Sequence, residues 1–330
     1  MKSFGHLWSG IVSPESLQAA MWRAAAGKKD RAPVARFLAN EEEELKKLRD
    51  ELLSAAYRPR PVIQFRIMDP KPRTITCADF RDRVVHHALC GAIGPILERR
   101  FVVESYACRK GKGVHRAVLR ARRLAKHYPY YWKADIRSFY ERVDHEKLLN
   151  LLRPRFRERE VQNLIEIIVR HPIPGQLPSR GLPIGNLTSQ WFANAYLDPF
   201  DHFLKETLRV KGYVRYMDDF VVFADGKADV FKAWAESEDY LHRELSLKLK
   251  PGASSVTPTS AGLPFLGMMI FPGLLRLKGS RKRRMMHLVR GRERACALGE
   301  IGERALQESA KSAVSVLRFF RLGGPWAAAL

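Results

Sequence analysis

Two adjacent carboxylates, Asp218 and Asp219, interrupt a hydrophobic stretch that reads YVRYMDDFVVFA over residues 213–224. Runs of Val, Tyr and Phe are typical of β-strands, and a short polar break between two such runs is typical of a tight hairpin. The pattern therefore predicts that both carboxylates lie at or beside the tip of a hairpin. Aspartate is also common in surface turns, where it bonds the local backbone, so the pair by itself fits a turn as well as a reactive site.

A third carboxylate, Asp135, also follows a strand-like run, in YYWKADIRSFY. Two strands can bring the three acids to one place, where they repel one another unless cations join them. Carboxylate oxygens are hard ligands that suit Mg²⁺, and a pair of metal ions about 4 Å apart is the usual apparatus for in-line phosphoryl transfer. The three acids therefore favour a site that binds two Mg²⁺ ions.

The elements ahead of these acids are predicted to be helices followed by a hairpin. Ser13 is a suitable N-cap for a helix that starts at the next residue, and Asn40 is a suitable N-cap for EEEELKKLRDELL. Residues 57–80 are rich in proline, and two short β-type runs flank the break DPKP. This arrangement predicts a hairpin that carries Lys71 and Arg73 near its turn.

Two basic regions follow that hairpin. A predicted helix, RDRVVHHALCGAIGPILERRF, begins with Arg81 and Arg83, and the loop 104–116 is rich in Gly and Lys. Arginine makes paired hydrogen bonds to phosphate oxygens, so these arginines are candidates for a triphosphate or a nucleic-acid backbone, although each also fits ordinary surface charge. The loop lacks the spacing of a P-loop, and we expect it to contact a template strand and to lead into a helix from about Val114.

Three further helices are predicted between the first acid and the acidic hairpin. A strand is expected to end near Ile136, a helix to begin around Asp144, and an amphipathic helix to follow over 156–171. The loop GLPIGNLTSQ then opens a third helix, with Thr188 or Ser189 as its cap, and Pro199 is expected to bend or interrupt that helix. A glycine-rich loop and polar side chains at a helix start suit contact with a nucleotide.

The chain beyond the hairpin is predicted to hold a helix over 228–245, a strand in LSLKLK and a strand in GLPFLGMMIF that is broken at Gly267. The tail over 275–325 is strongly basic and has helical periodicity. A basic helical tail is a candidate clamp on the phosphates of a nucleic-acid duplex, and a solvated helical face is the alternative.

The overall charge points to a polyanionic partner. The chain has 58 Lys and Arg against 35 Asp and Glu, a formal net charge of +23 over 330 residues. The basic residues run through the whole sequence, which favours nucleic acid over a membrane surface. A hydrophobic content of 46% excludes general disorder, and the spacing of the four cysteines indicates neither a zinc site nor a disulfide framework. The N-terminus lacks a secretion signal and no run is long enough to span a membrane, so we expect a cytoplasmic protein.

Four motifs now stand in an order that resembles reverse transcriptases: DIRSFY, GLPIGNLTSQ, YMDD between two strands, and PFLG, within residues 60–275. More narrowly, IGNLTSQWFANAYL resembles the reverse transcriptases of diversity-generating retroelements, because most other reverse transcriptases have Gln in place of Ile184 and Pro in place of Gln190. RDRVVHHAL and SYACRKGKGVHRAV resemble bacterial enzymes of the group II intron type. The resemblance is thus to a bacterial or phage retroelement enzyme.

The resemblance implies an α+β right-hand polymerase fold, with an antiparallel palm sheet backed by helices. We expect fingers over 1–130, a palm over 131–275 with a fingers segment at about 150–180 interleaved, and a basic helical thumb over 276–330. The implied activity is RNA-directed DNA polymerisation with two Mg²⁺ ions. The implied partners are template RNA, the cDNA/RNA duplex, dNTPs and a small basic accessory protein.

The resemblance also assigns roles to individual residues. Asp135 and Asp218 are implied to bind the metal ions, and Asp219 completes the acidic cluster. A second set is implied to bind the substrate: Lys71 and Arg73 at the nucleotide phosphates, Tyr140 under its sugar, Ile184, Gly185 and Gln190 near the nascent base pair, and Lys250 (or Lys248) beside the departing pyrophosphate.

The resemblance further implies copying that is error-prone at template adenines. Where an amide would hydrogen-bond near the nucleotide, Ile184 offers none, so discrimination among bases is expected to fall. Two alternatives remain open: another bacterial reverse transcriptase, either intron-derived or of the phage-defence type, and a catalytically idle RNA-binding scaffold.

Overall fold

The computed structural model describes residues 4–68, 72–252 and 255–311. The chain divides into two compact units. Unit 1 consists of Met1–Val103, Ile136–Thr207 and Ser237–Leu249, and unit 2 consists of Glu104–Asp135, Leu208–Glu236 and Lys250–Leu330. Each unit is therefore built from three separate stretches of sequence.

The helices are α1 (Trp8–Val12), α2 (Pro14–Ala25), α3 (Ala32–Ala39), α4 (Glu41–Leu53), α5 (Phe80–Glu98), α6 (Val114–His127), α7 (Phe139–Arg142), α8 (His145–Leu152), α9 (Arg159–Val169), α10 (Leu187–His202), α11 (Lys227–Arg243) and α12 (Gly279–Ala297). The strands are β1 (Ile63–Ile67), β2 (Arg73–Cys77), β3 (Tyr130–Asp135), β4 (Gly212–Tyr216), β5 (Asp219–Ala224), β6 (Val256–Pro258), β7 (Leu263–Phe265), β8 (Met268–Phe271) and β9 (Leu274–Leu277).

The N-terminal helices of unit 1 confirm one predicted cap and correct another. The Ser13 hydroxyl accepts a hydrogen bond from the Ser16 amide at 3.1 Å, so α2 starts as predicted. Asn40 does precede α4, but its side chain makes no capping bond. The four glutamates of the first turn, 41–44, instead suit the positive end of the α4 dipole.

Helices α5 and α10 pack together in the core of unit 1. A side chain on Gly94 of α5 would meet the Trp191 ring of α10 at 3.0 Å, so this close packing requires glycine. Helix α10 continues through Pro199 to His202 and then becomes a π-helix over Phe203–Thr207, so the predicted interruption at Pro199 is wrong.

The start of α10 also differs from the prediction. The helix begins at Leu187, with Asn186 in the N-cap position, and neither Thr188 nor Ser189 caps it because both already lie inside the helix. The Asn186 side chain accepts a hydrogen bond from the Ala78 amide at 3.2 Å instead of capping the helix. The Asn186 side chain is thus used in a tertiary hydrogen bond, although a polar side chain at an N-cap position more often bonds the backbone of its own helix.

Unit 2 is organised by a four-stranded antiparallel sheet in the order β4-β5-β3-β6. One face of this sheet packs against α6 and the meander β7-β8-β9 around a buried apolar cluster. The strands on both sides of the acidic motif are as predicted, and β1 pairs with β2 in the predicted hairpin of unit 1. The residues at the β3-β5 end of the sheet are the predicted acids.

Two predicted strands are corrected. GLPFLGMMIF forms a hairpin, β7-β8, because Leu266 (φ +48°) and Gly267 (φ +81°) make its two-residue turn. LSLKLK does not form a strand in the structure; Leu249 makes one isolated bridge with Ile136. Residues 245–250 alternate in sequence like a strand, but they lack a continuous partner.

The basic tail begins with β9 and α12. None of the α12 side chains is buried, and residues 303–311 are also helical. The rest of the predicted clamp, residues 312–325, and the end of the predicted thumb, to residue 330, lie outside the described residues, as does Lys71. In the described ranges no helix is both long and apolar enough to cross a membrane.

Candidate active site

The acidic motif forms a two-residue hairpin between β4 and β5. Tyr216 and Asp219 are register partners, which leaves Met217 and Asp218 as the turn. Met217 has a φ of +56°, in the left-handed region that non-glycine residues rarely adopt. The tight turn therefore holds Asp218 at the tip of the hairpin and Asp219 at the first position of β5.

Asp135 stands directly opposite Asp219. The two are register partners at the end of the antiparallel pair β3-β5. Cβ atoms of such pairs lie about 4.5–5.5 Å apart on one face of the sheet. The structure thus brings all three predicted acids together within unit 2, two as neighbours across strands and one at the adjoining turn.

Lys133 provides a positive charge on the same face. It lies two residues before Asp135 on β3, and its ammonium is 2.9 Å from Asp219 Oδ1. The two side chains are 26% and 22% exposed, so solvent screens this pair only in part. Lys133 was not predicted, although a single charge inside the apolar run YYWKAD was a usable signal.

The Asp219 carboxyl group is largely buried and has two other carboxylates near it. The pKa of Asp219 is raised to about 6: burial is the largest cause, Lys133 lowers the pKa, and the nearby carboxylates of Asp135 and Asp218 add to the rise. A carboxyl group with this pKa carries negative charge near neutral pH at an energetic cost. A cation at this site would offset that cost.

The three acids share one region of unit 2. Among the residues the structure describes, no group of three or more His, Cys, Asp or Glu side chains is spaced to hold a metal ion. Lys250 lies next to the cluster, because its amide donates to the Asp135 carbonyl at 2.8 Å, and its side chain is exposed.

The other predicted substrate residues lie in unit 1. The Thr76 amide donates to the Ile184 carbonyl at 2.9 Å, which ties the GLPIGN loop to β2, the strand that begins with Arg73. A side chain on Gly185 would lie 3.0 Å from Ile75 Cγ2, and its φ is +123°, so glycine is required there.

Tyr140 belongs to the same part of unit 1. It lies in the short helix α7, which was not predicted, and its carbonyl accepts from the Leu182 amide at 2.7 Å. Arg73 and Ile184 line one open cleft with Thr76 and Glu141. Gln190 is half-buried one turn into α10. Unit 1 thus gathers Arg73, Tyr140 and the GLPIGN loop.

The arginine at the start of α5 does not fit the predicted phosphate role. The Arg81 guanidinium is buried, is paired with Glu51 and lies 3.7 Å from Asp82. Asp82 in turn accepts from the Tyr57 hydroxyl at 2.9 Å. Arg81 therefore belongs to a buried structural network, because a guanidinium in such a network is turned away from solvent and ligands.

Comparison with known proteins decides the family. A model of the reverse transcriptase (RNA-dependent DNA polymerase) family matches residues 68–270, which include all three acids. The chain belongs to the reverse transcriptase family. This reverse transcriptase is 27% identical to Protein YkfC of Escherichia coli over 267 residues, 68% of the chain and 70% of YkfC.

A second relative of the reverse transcriptase is the group II intron-encoded protein LtrA of Lactococcus lactis. It is 21% identical over 321 residues, which cover 74% of this chain and 53% of LtrA. The chain therefore spans about half the length of LtrA.

The solved structure of apo telomerase from Candida tropicalis shares the fold with a TM-score of 0.50 at 12% identity, over 69% of this chain and 58% of that one. The α+β polymerase fold and the enzyme class, RNA-directed DNA polymerase, are thereby confirmed.

Proposed function

We propose that this chain copies a template RNA into cDNA and that Asp135, Asp218 and Asp219 form its catalytic centre. The observation that carries the proposal is the register pair Asp135 and Asp219 beside a turn that presents Asp218, in a member of the reverse transcriptase family. Two divalent metal ions bound there would lower the pKa of the primer hydroxyl and neutralise charge on the triphosphate.

The donor set fits Mg²⁺ in its chemistry. Three carboxylates on a strand end and a hairpin offer hard oxygen ligands. Burial first, and the neighbouring carboxylates after it, raise the pKa of Asp219, and a cation would stabilise its charged form. We assign the ions first to Asp135 and Asp218, as the resemblance implies, and Asp219, whose carboxylate pairs with Lys133, completes the cluster. We assign Lys250, whose exposed side chain lies beside Asp135, to the departing pyrophosphate.

We assign the nucleotide side of the reaction to unit 1. Arg73 would bind the triphosphate, Tyr140 would limit the space at the sugar, and Gly185 would allow a base pair to approach the backbone. This assignment makes the β1-β2 hairpin and the N-terminal helices the fingers, the β4-β5-β3-β6 sheet the palm, and the basic segment from residue 276 onward the thumb.

The finer proposal is a retroelement enzyme that mutates a target gene by copying template adenines unfaithfully, with a small basic accessory protein. It is supported by Ile184 and Gln190 within IGNLTSQ. Ile184 is partly exposed, so an apolar surface faces the cleft that Arg73 also lines. A glutamine amide at this position would be left without a hydrogen-bond partner when a wrong base binds, and that cost would disfavour the wrong base. Isoleucine has no such polar group, so this means of discrimination is lost.

A second candidate is an enzyme of the group II intron type, favoured by the similarity to LtrA. The DNA that flanks the gene separates the two candidates. A template repeat with a near-copy in a target gene favours the first, and an intron RNA around the coding sequence favours the second.

Primer extension tests the catalytic proposal. The full chain is supplied with an RNA template, a DNA primer, dNTPs and Mg²⁺, and wild type is compared with Asp218→Asn. We expect kcat to fall by at least about 10²-fold, since the variant loses a charge that acts on the transition state.

The matched control for this experiment is Asp225→Asn, an exposed acid at the opposite end of β5. It should extend primers at the wild-type rate. Equal activity of Asp218→Asn and wild type would refute the site.

Sequencing of cDNA tests the fidelity proposal. Products of wild type and of Ile184→Gln are compared on one RNA template that contains all four bases. The amide restores a polar restraint, so misincorporation opposite adenine should fall by several-fold relative to the other bases. An unchanged error spectrum would contradict the role of Ile184.

A further inference from the structure

A fully buried arginine lies three residues before Asp218. Arg215 is on β4, opposite Phe220, and its exposure is 0%. A buried charge is costly unless its donors are satisfied, so an arginine in the apolar run YVRYM calls for a specific reason. It was not among the predicted site residues, although a charge inside a strand was a visible signal.

The turn after Arg215 has an unfavourable sequence for its shape. Two-residue hairpin turns usually place Gly or Asn at positions with positive φ, whereas here Met217 adopts φ +56°. A left-handed residue other than glycine costs roughly 1–2 kcal/mol. Such a conformation persists only where the surroundings hold it.

Arg215 supplies one of those restraints. Its Nη1 donates to the Met217 carbonyl at 3.1 Å. That carbonyl belongs to the peptide unit that joins Met217 to Asp218. Because a peptide unit is planar, its carbonyl direction also sets the orientation of the bond that leads to the Asp218 Cα.

The backbone of Arg215 is itself fixed from the other side. Its amide donates to the Glu104 carbonyl and its carbonyl accepts from the Tyr106 amide, both at 2.9 Å. The segment 104–106 thus covers the free edge of β4, and Ser105 is fully buried. The Arg215 side chain therefore reaches the turn from an anchored strand.

We propose that Arg215 is a positioning residue that aims the Asp218 carboxylate by holding the Met217-Asp218 peptide unit. This inference rests on the proposed function, because it needs Asp218 to act in catalysis. Arg215 itself has no exposed surface, so we expect it to act through the turn and not by direct contact with a substrate. Its effect should fall on the chemical step and leave nucleotide binding intact.

The test compares Arg215→Met and Arg215→Lys with wild type in the primer-extension assay, using full-length protein and reporting kcat and KM for dNTP per folded molecule. Misplaced catalytic groups typically cost about 10- to 100-fold. We expect that loss in kcat for Arg215→Met, with KM for dNTP within about threefold. Arg215→Lys, which retains one charged donor, should have intermediate activity.

Arg155→Met is the matched control. Arg155 is 4% exposed, lies in unit 1 and has its guanidinium 3.3 Å from Asp198. Its replacement should lower the free energy of unfolding without changing kcat of the folded enzyme. A loss of kcat equal to that of Arg215→Met would show that any buried arginine has this effect and would overturn the proposal.

Met217→Gly makes the test specific for the turn. Glycine adopts positive φ without steric cost, so the turn then depends less on Arg215. The factor by which Arg215→Met lowers kcat should be several-fold smaller in Met217→Gly protein than in protein that retains Met217. Equal ratios in both backgrounds would overturn the proposal. Where Arg215→Met does not fold, Arg215→Lys is measured in both backgrounds by the same criterion.

The outcomes separate this inference from the proposed function. An Asp218→Asn variant that is inactive, together with an Arg215→Met variant of wild-type kcat, refutes only the positioning role. An Asp218→Asn variant with full activity refutes the catalytic site itself, whatever Arg215 does.

Discussion

Two aspartates in different units have opposite electrostatic surroundings. Asp198, in unit 1, is 0% exposed and is surrounded by basic side chains: Arg100 Nε at 2.8 Å, Arg155 at 3.3 Å and His202 at 3.3 Å. Asp219, in unit 2, is paired with Lys133 and has two further carboxylates beside it.

We interpret the difference as one between an acid of the scaffold and an acid of the proposed reactive site. An acid matched by several cations stabilises the fold around it, as Asp198 does between α10 and the residues near 100 and 155. Burial and, after it, the like charges gathered at one strand end raise the pKa of Asp219 and reduce stability, and proteins keep such arrangements where chemistry needs them. The cost at Asp219 is therefore evidence for function.

The largest effect predicted from this comparison is at Asp198. Asp198→Ala leaves the charges of Arg155 and Arg100 without their buried partner, and we expect a loss of about 3–5 kcal/mol in the free energy of unfolding. Denaturant unfolding of the purified chain measures it.

Glu206→Ala is the control for Asp198→Ala. Its side chain is 71% exposed, and the change should stay within about 0.5 kcal/mol. Equal, small losses for both variants would remove the distinction between scaffold and site.

A smaller effect concerns a buried histidine of unit 1. Burial lowers the pKa of His86 from 6.5 to about 3, with help from the positive charges of His87, His171 and Arg83. The folded protein thus keeps His86 neutral while the unfolded chain binds a proton below pH 6.5. Stability from this group is full above pH 6.5 and is lost as the pH falls from there toward about 3.

His86→Gln measures that contribution. Each pH unit below the unfolded pKa costs about 1.4 kcal/mol for one proton, so the loss of stability between pH 7.5 and pH 5 should be about 2 kcal/mol smaller in the variant. Unfolding in denaturant at the two pH values gives the result. Identical pH dependence in both proteins would show that His86 is not the group that responds to acid.

The sequence was sufficient to locate the acids but not the contacts of the two basic side chains near them. Alternating apolar residues and the break at Asp218 predict the β4-β5 hairpin, because strand periodicity is a local signal. Lys133 and Arg215 each interrupt an apolar run, but their contacts depend on strand register and on turn geometry. Neither is encoded in spacing along the chain.

The same limit explains the errors elsewhere in the fold. The Asn186 side chain bonds the Ala78 amide instead of capping a helix, and the Arg81 guanidinium pairs with Glu51 instead of facing solvent. Rules based on local sequence failed at both positions because these contacts are tertiary. The chain also alternates between the two units, so each unit joins residues that are far apart in sequence. Only long-range packing decides such features.

One pair of variants tests the central claim most directly: Asp219→Asn and Asp198→Asn, each measured for primer extension on RNA and for its free energy of unfolding at pH 7.5. We predict that Asp219→Asn loses activity while its stability stays equal or increases, because a crowded charge is removed. Asp198→Asn should lose stability and keep the kcat of its folded fraction. A destabilised Asp219→Asn with wild-type activity would contradict the account.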